Sequence, residues 1–295
     1  MKIRFRIAGF VVLLLFLGNS LFAQSEKALL WKIVGKGLKE PSYLFGTYHL
    51  LNNTYLNEMP QVKQSLATTK GLVVEAVIDS SKLQSMAMMA IMPGKKISDM
   101  IAPEEARLVS AELEAWMGVN LAAVDQLKPS SVIVMLGLLY SQKLNAEILK
   151  KYPGKPMDVY LASTAKKDHK TVTALETIEQ QLNFLYNHFP LEEQARQLAI
   201  FVKQKEISER SQVELLEIYM EHDLEKLYHY ADSLPKDMGN SDFLLKDRNV
   251  NWMKTLPGLM AKESQFIAVG ALHLPGPDGL IALLRKQGFT VTPVK

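Results

Sequence analysis

Apolar, β-branched runs gather near the two ends of this chain, and the long stretch between them has helical spacing broken by proline and glycine. That division constrains the fold more than any other feature, because strands hide their backbone polar groups only by pairing, and the partners here lie far apart in sequence. At the front, residues 29–34 and 42–46 read as a strand pair around the polar turn 35–41. Residues 58–69 carry helical spacing, and 72–78 read as a buried strand. At the back, 266–269, 278–287 and 289–294 read as strand, helix and strand, the length of a crossover unit. The middle, from about 80 to 260, is helix-rich over 103–116, 131–144, 176–188, 191–203, 207–220 and 243–260, with breakers at Pro93-Gly94, Pro129 and Pro153-Gly154. Met86, Met88, Met89 and Met92 read as one pliable apolar helix face. The expected fold is therefore α+β: one mixed sheet assembled from N- and C-terminal strands, with a large helical insertion covering one face.

The first residues follow a different logic. Lys2, Arg4 and Arg6 precede an apolar run over 7–17, and small residues follow up to Ala23. That is the pattern of a cleavable export signal, with cleavage expected after Ala23 and a mature domain over 24–295. The run is shorter than the roughly 18–20 apolar residues that cross a bilayer, so no membrane span is expected after cleavage. Secretion, or release into the periplasm of a bacterial cell envelope, is the expected localisation.

Charge follows from that reading. The signal holds three of the 34 basic residues and none of the 31 acidic ones, so the remainder balances at 31 against 31. A neutral domain offers no electrostatic footprint for nucleic acid. The absence of cysteine excludes disulfides and thiolate metal or redox sites.

Two of the six histidines stand in matching settings. Gly46-Thr-Tyr-His49 and Gly270-Ala-Leu-His273 each follow an apolar strand and place glycine three residues before the histidine. With 16 glycines in 295 residues, a given histidine has glycine at that offset about one time in twenty. Glycine lets the backbone leave a strand in a conformation other residues resist, or lets another group approach closely. Glu75 lies inside the apolar run Val73-Val74-Glu75-Ala76-Val77. Either alternation turns it to solvent, or it is buried and needs a cation or donors. Two imidazoles and a carboxylate suit a divalent transition metal with open positions for water, and such a metal promotes hydrolysis. Two histidines merely hydrogen-bonded at strand ends are the structural alternative. Arg248, beside Asn249, suits a carboxylate clamp or an oxyanion partner, or else a surface charge. Thr177 reads as a helix N-cap with Gln180 at the capping-box position, and Glu176 just before it is placed to point into a site.

These pieces together resemble the TraB/GumN family, which includes pheromone-shutdown proteins and the animal Tiki proteins. The resemblance runs from Trp31-Lys-Ile and Ser42-Tyr-Leu-Phe-Gly-Thr-Tyr-His49 through Val74-Glu75, Leu175-Glu-Thr-Ile-Glu-Gln180-Gln181 and Arg248-Asn249. It closes on Ala268-Val-Gly-Ala-Leu-His273-Leu-Pro-Gly276, Gly279-Leu280 and Gly288-Phe-Thr-Val291. It implies an erythromycin-esterase-like, Tiki-like core and a metal-dependent peptidase acting on a peptide or protein substrate. His49, His273 and Glu75 would hold manganese, cobalt or zinc, with Glu75 alternatively the general base. Arg248 and Glu176 would support catalysis. One departure is that Ala76-Val77-Ile78 separate Glu75 from the next acidic residue, Asp79. A binding protein that uses the same cleft without chemistry, and a small-molecule esterase, are the competing expectations.

Overall fold

The computed structural model describes residues 27–77, 80–233 and 242–295. The export signal expected over 1–23, and Asp79, lie outside the described residues. Among the described residues six strands form one sheet: β1 Leu30–Val34, β2 Ser42–Thr47, β3 Gly71–Val74, β4 Thr171–Ala174, β5 Gln265–Gly270 and β6 Thr290–Pro293. Their order across the sheet is β4-β3-β5-β2-β1-β6. β1 pairs antiparallel with both β2 and β6, and every other neighbouring pair is parallel. β4, β3, β5 and β2 therefore all run the same way.

Burial follows position. All four residues of β3 are buried, as are the first five of β5, which matches their continuous apolar runs. β5 fits between β3 and β2, with Val73 opposite Ile267 and Phe45 opposite Ala268. The expected strand pair at the front is β1 with β2, in register from Leu30↔Phe45 to Ile33↔Ser42. The expected crossover at the back runs from β5 through helix α13 (Leu280–Lys286) to β6, and it passes over β2 and β1 on the way.

Three expectations need correction. The stretch read as helix-rich also contains β4, whose Thr-Val-Thr-Ala lacks an apolar run because it is an edge strand with Thr171 and Ala174 exposed. The single helix read over 243–260 is two, α11 (Lys246–Trp252) and α12 (Leu256–Lys262). Pro257 lies in the first turn of the second, where its missing N–H costs nothing. The methionine face is not buried: helix α2 (Leu83–Met89) has no buried residue and Met88 is 57% exposed, while Met92 beyond its end enters a core at 3%.

That core is one of two. The sheet core holds Leu44, Phe45, Leu72, Val73, Phe266 and Ile267. A helical core holds Val109 and Leu113 of α3 (Pro103–Met117), Val132 and Leu136 of α4 (Pro129–Leu144), and Leu198 and Phe201 of α8 (Leu191–Lys203). α9 (Lys205–Met220) sends Leu216 and Tyr219 into the sheet core, and the Tyr219 hydroxyl donates to the Gly46 carbonyl at 3.0 Å. Among the described residues no helix is long and apolar enough to cross a membrane.

Candidate active site

Four parallel strands end at one edge of the sheet, and each hands over an ionisable residue within three positions. β2 leads to His49, β3 to Glu75, β4 to Glu176 and β5 to His273. The carboxyl edge of parallel strands, where the chain order is interrupted, is where open α/β sheets place their ligands. Here β5 is the interruption, arriving late between β3 and β2. Helix α11 adds Arg248.

The two glycines of the paired motifs serve close approach. Neither has a left-handed φ, so conformational freedom is not their reason. A Cβ on Gly46 would lie 3.0 Å from the Cα and Cβ of Ala271, and one on Gly270 would lie 3.2 Å from Glu75 Oε1. Gly270 instead donates its N–H to that oxygen at 2.7 Å.

Glu75 is thus turned inward, with its side chain 12% exposed. Its Oε2 accepts from Arg248 Nη2 at 2.6 Å and from Gln181 Nε2 at 3.0 Å. Burial opposes its ionisation, and the Arg248 guanidinium, His49 and the Gly270 N–H outweigh that, holding its pKa well below the ordinary carboxylate range. Arg248 also binds Glu176, through Nε at 3.0 and 3.3 Å and through a short contact from Nη2. Glu176 is 3% exposed and accepts from Trp252 Nε1 at 3.3 Å, while the guanidinium stacks 4.8 Å from the Trp252 ring. The Arg248 Nη1 donates to the Leu244 carbonyl at 3.0 Å and lies 3.1 Å from His273 Nε2.

His273 is buried, with Nε2 3.8 Å from Glu75 Oε1 and Nδ1 2.8 Å from Asn249 Oδ1. Burial pushes its pKa down to about 3, so the ring is neutral. His49 differs. Its Nδ1 lies 2.8 Å from Asp158 Oδ2, and that hydrogen bond raises its pKa to about 9 although the side chain is 67% exposed. Four of these groups, His49, Glu75, Arg248 and His273, line one cavity of about 350 Å³. Glu176 stands behind Arg248. The opposite wall is apolar, with Val134 and Leu138 of α4, Leu215 of α9 and Leu245. Thr47 Oγ1, in the same lining, is buried without a hydrogen-bond partner among the described residues.

The TraB/PrgY/gumN family matches residues 29–293, almost the whole described chain. The chain belongs to that family. "Metalloprotease TIKI1" of Danio rerio is 23% identical over 304 residues, covering 85% of this chain and 60% of that protein. "Metalloprotease TIKI2" of Danio rerio is 22% identical over 316 residues, covering 90% and 60%. The chain spans about 60% of the length of these curated relatives. No solved structure matches.

For a TraB/PrgY/gumN member the question is whether the cavity suits a metal. The donor chemistry does: both histidines have Nδ1 engaged by an oxygen acceptor, the outer contact usual for metal-ligating imidazoles, and Glu75 supplies a carboxylate. The orphaned Thr47 hydroxyl adds unmet hydrogen-bonding capacity in the wall. The spacing differs from the expected three-ligand centre. Among the described residues no three His, Asp or Glu side chains are grouped to hold an ion. The physical reason is Arg248, which neutralises Glu75 and contacts His273 Nε2, while His49 is drawn outward to Asp158.

The sequence reading singled out His49, Glu75, Arg248 and His273, which line this cavity, and Glu176, which lies behind Arg248. It assigned no role to Asp158, Gln181, Asn249 or Trp252. Asn249 and Gln181 stand in the quoted family segments, which was a usable signal, and Trp252 lies one helical turn past Arg248. Asp158, near the start of helix α6 (Met157–Lys167), stands in no motif and is found only by folding.

Proposed function

We propose that this TraB/PrgY/gumN protein is a hydrolase of peptide bonds, exported to the cell envelope, with its reacting centre at the carboxyl edge of the sheet. The observation that carries this reading is the convergence of two imidazoles, a carboxylate and an arginine, from three strand ends and one helix, on a cavity with an apolar opposite wall. The names of the Danio rerio relatives support the peptidase class. The basic and apolar pattern of residues 1–23 supports export.

Within that reading, Arg248 is the group that meets negative charge developing on an amide oxygen, since its charge is fixed and its position is set by Glu176, Leu244 and Trp252. Glu176 orients Arg248 and does not itself face the cavity. Glu75 stays ionised and balances the guanidinium. Asp158 and Asn249 orient the two imidazoles by their Nδ1 atoms. Val134, Leu138, Leu215 and Leu245 exclude water from the far side. A manganese, cobalt or zinc ion held by His49, His273 and Glu75 would polarise the amide carbonyl and lower the pKa of its water.

Turnover of a peptide library by the wild type and by Glu75→Gln, with and without added manganese, cobalt or zinc, tests the reading. The expected outcome is cleavage by the wild type and a loss on the order of 10²- to 10⁴-fold in the variant. Equal, metal-insensitive background from both proteins overturns it in favour of a binding protein, and turnover confined to small esters moves the substrate class. Calorimetric titration with the three metals decides the cofactor: no heat for any of them removes the metal from the mechanism.

A further inference from the structure

We infer that Asn249 is a positioning residue that locks His273 in the Nδ1–H tautomer, so that the Nε2 lone pair faces Arg248 and the cavity. The inference deepens the hydrolase reading and rests on it for its catalytic meaning, but the tautomer itself follows from hydrogen bonds alone.

Two independent constraints give the same answer. Arg248 has donors and no acceptor, so its Nη1, 3.1 Å from His273 Nε2, needs a lone pair there. On the other side of the ring, Asn249 is 2% exposed and its amide is held in one orientation. Nδ2 donates to the His273 carbonyl at 3.1 Å and to the Asp278 carbonyl at 2.9 Å. Both amide hydrogens are used, so Oδ1 is the atom that faces His273 Nδ1 at 2.8 Å, and as an acceptor it requires Nδ1–H. Flipping the amide would set its oxygen against two carbonyl oxygens and forfeit both of those bonds. Residues 248 and 249, adjacent on α11, therefore grip opposite nitrogens of one imidazole, whose ring also rests 4.4 Å from Trp252.

The choice of amide matters chemically. His49 is held at Nδ1 by a carboxylate, which favours a charged ring, whereas an uncharged amide at His273 orients the ring without stabilising an added proton. The Nε2 lone pair is engaged by the Arg248 N–H, and it takes a proton or a cation only when that donor withdraws.

Long-range proton–nitrogen correlation spectra of the full protein, labelled with ¹⁵N-histidine and compared with His273→Gln to identify the signals, read the tautomer directly. The expected wild-type pattern is a protonated Nδ1 and a bare Nε2. A protonated Nε2, or averaging between the two forms, overturns the inference. In Asn249→Ala, Arg248 still selects the Nδ1–H form, but Nδ1 loses its hydrogen bond: its proton should move upfield and exchange faster with water, and kcat on the peptide library should fall about 10- to 100-fold with KM changed less than about threefold. A folded variant whose Nδ1 proton shift and exchange match the wild type, or whose only change is a raised KM, overturns the positioning role. If the variant does not fold, the wild-type spectrum still decides. If the wild type cleaves no peptide, the hydrolase reading fails while the nitrogen signals still report on Asn249.

Discussion

Arg248 sits between Glu75 and Glu176 with 10% of its side chain exposed, and the two carboxylates are 12% and 3% exposed. Removing one partner from such a cluster leaves buried charge uncompensated, which costs more than the intact pair contributes. Arg248→Met should therefore lower stability by about 3–5 kcal/mol, measured by denaturant melts, and adding Glu176→Gln should restore part of the loss. Thr47 makes the opposite case. Its hydroxyl is buried without a partner among the described residues, so Thr47→Val should hold or raise stability, by about 1 kcal/mol, in the same melts. A clear drop would mean that the hydroxyl has a structural partner. At this scale the sequence showed which residues carry charge or lone pairs, and the repeated Gly-x-x-His pointed to the two imidazoles that line the cavity. It could not show that Arg248 would lie on Glu75, because that contact joins positions 173 apart.

Among the elements, the turn after β5 is the tightest. A Cβ at Gly279, just before α13, would lie 2.0 Å from the Pro275 carbonyl oxygen and 2.4 Å from that of Leu274. Both obstacles are backbone and cannot swing aside. Gly279→Ala should destabilise the protein by more than about 3 kcal/mol, seen as a lowered melting temperature, and should disturb the backbone that receives Asn249 at Asp278. Elements that bury an apolar run, such as β3 and β5, were legible because burial on both faces demands such a run. β4 was not, since an exposed edge asks only for β-branched residues and Thr-Val-Thr-Ala is too short to stand out. α2 misled for the converse reason: four methionines look like a buried face, yet the helix buries none of its residues.

For the molecule as a whole, acid should act through histidine before it acts through carboxylate. Burial lowers the pKa of His222, and that of His273 to about 3, below the unfolded value of about 6.5. The unfolded chain therefore takes up these protons first, and stability falls as pH drops from about 6.5 towards the folded values. Glu75, held well below its unfolded value, gives stability that is lost only below the ordinary carboxylate range. Thermal melts from pH 6.5 to 5 should show a falling midpoint, whereas from pH 9 to 6.5 His49, raised to about 9 by Asp158, adds stability as it takes up its proton. His222→Asn, which suits the left-handed φ of 57° at that position, should flatten the fall. The overall division into strand-rich ends and helical middle was readable, as was the meeting of both ends in one sheet. The order β3-β5-β2 was not, because nothing local specifies which strand fills a gap.

That order has a consequence for how the molecule comes into being. Strands β2 and β3 flank a slot that stays vacant until residues 265–270 emerge, and His273 follows only then. A nascent chain shorter than this has an unclosed sheet, two sticky strand edges and an incomplete cavity. Translation thus delivers the last side chain of the cavity edge and the strand that seals the fold almost together, so a half-made copy lacks both its closed sheet and its finished cleft.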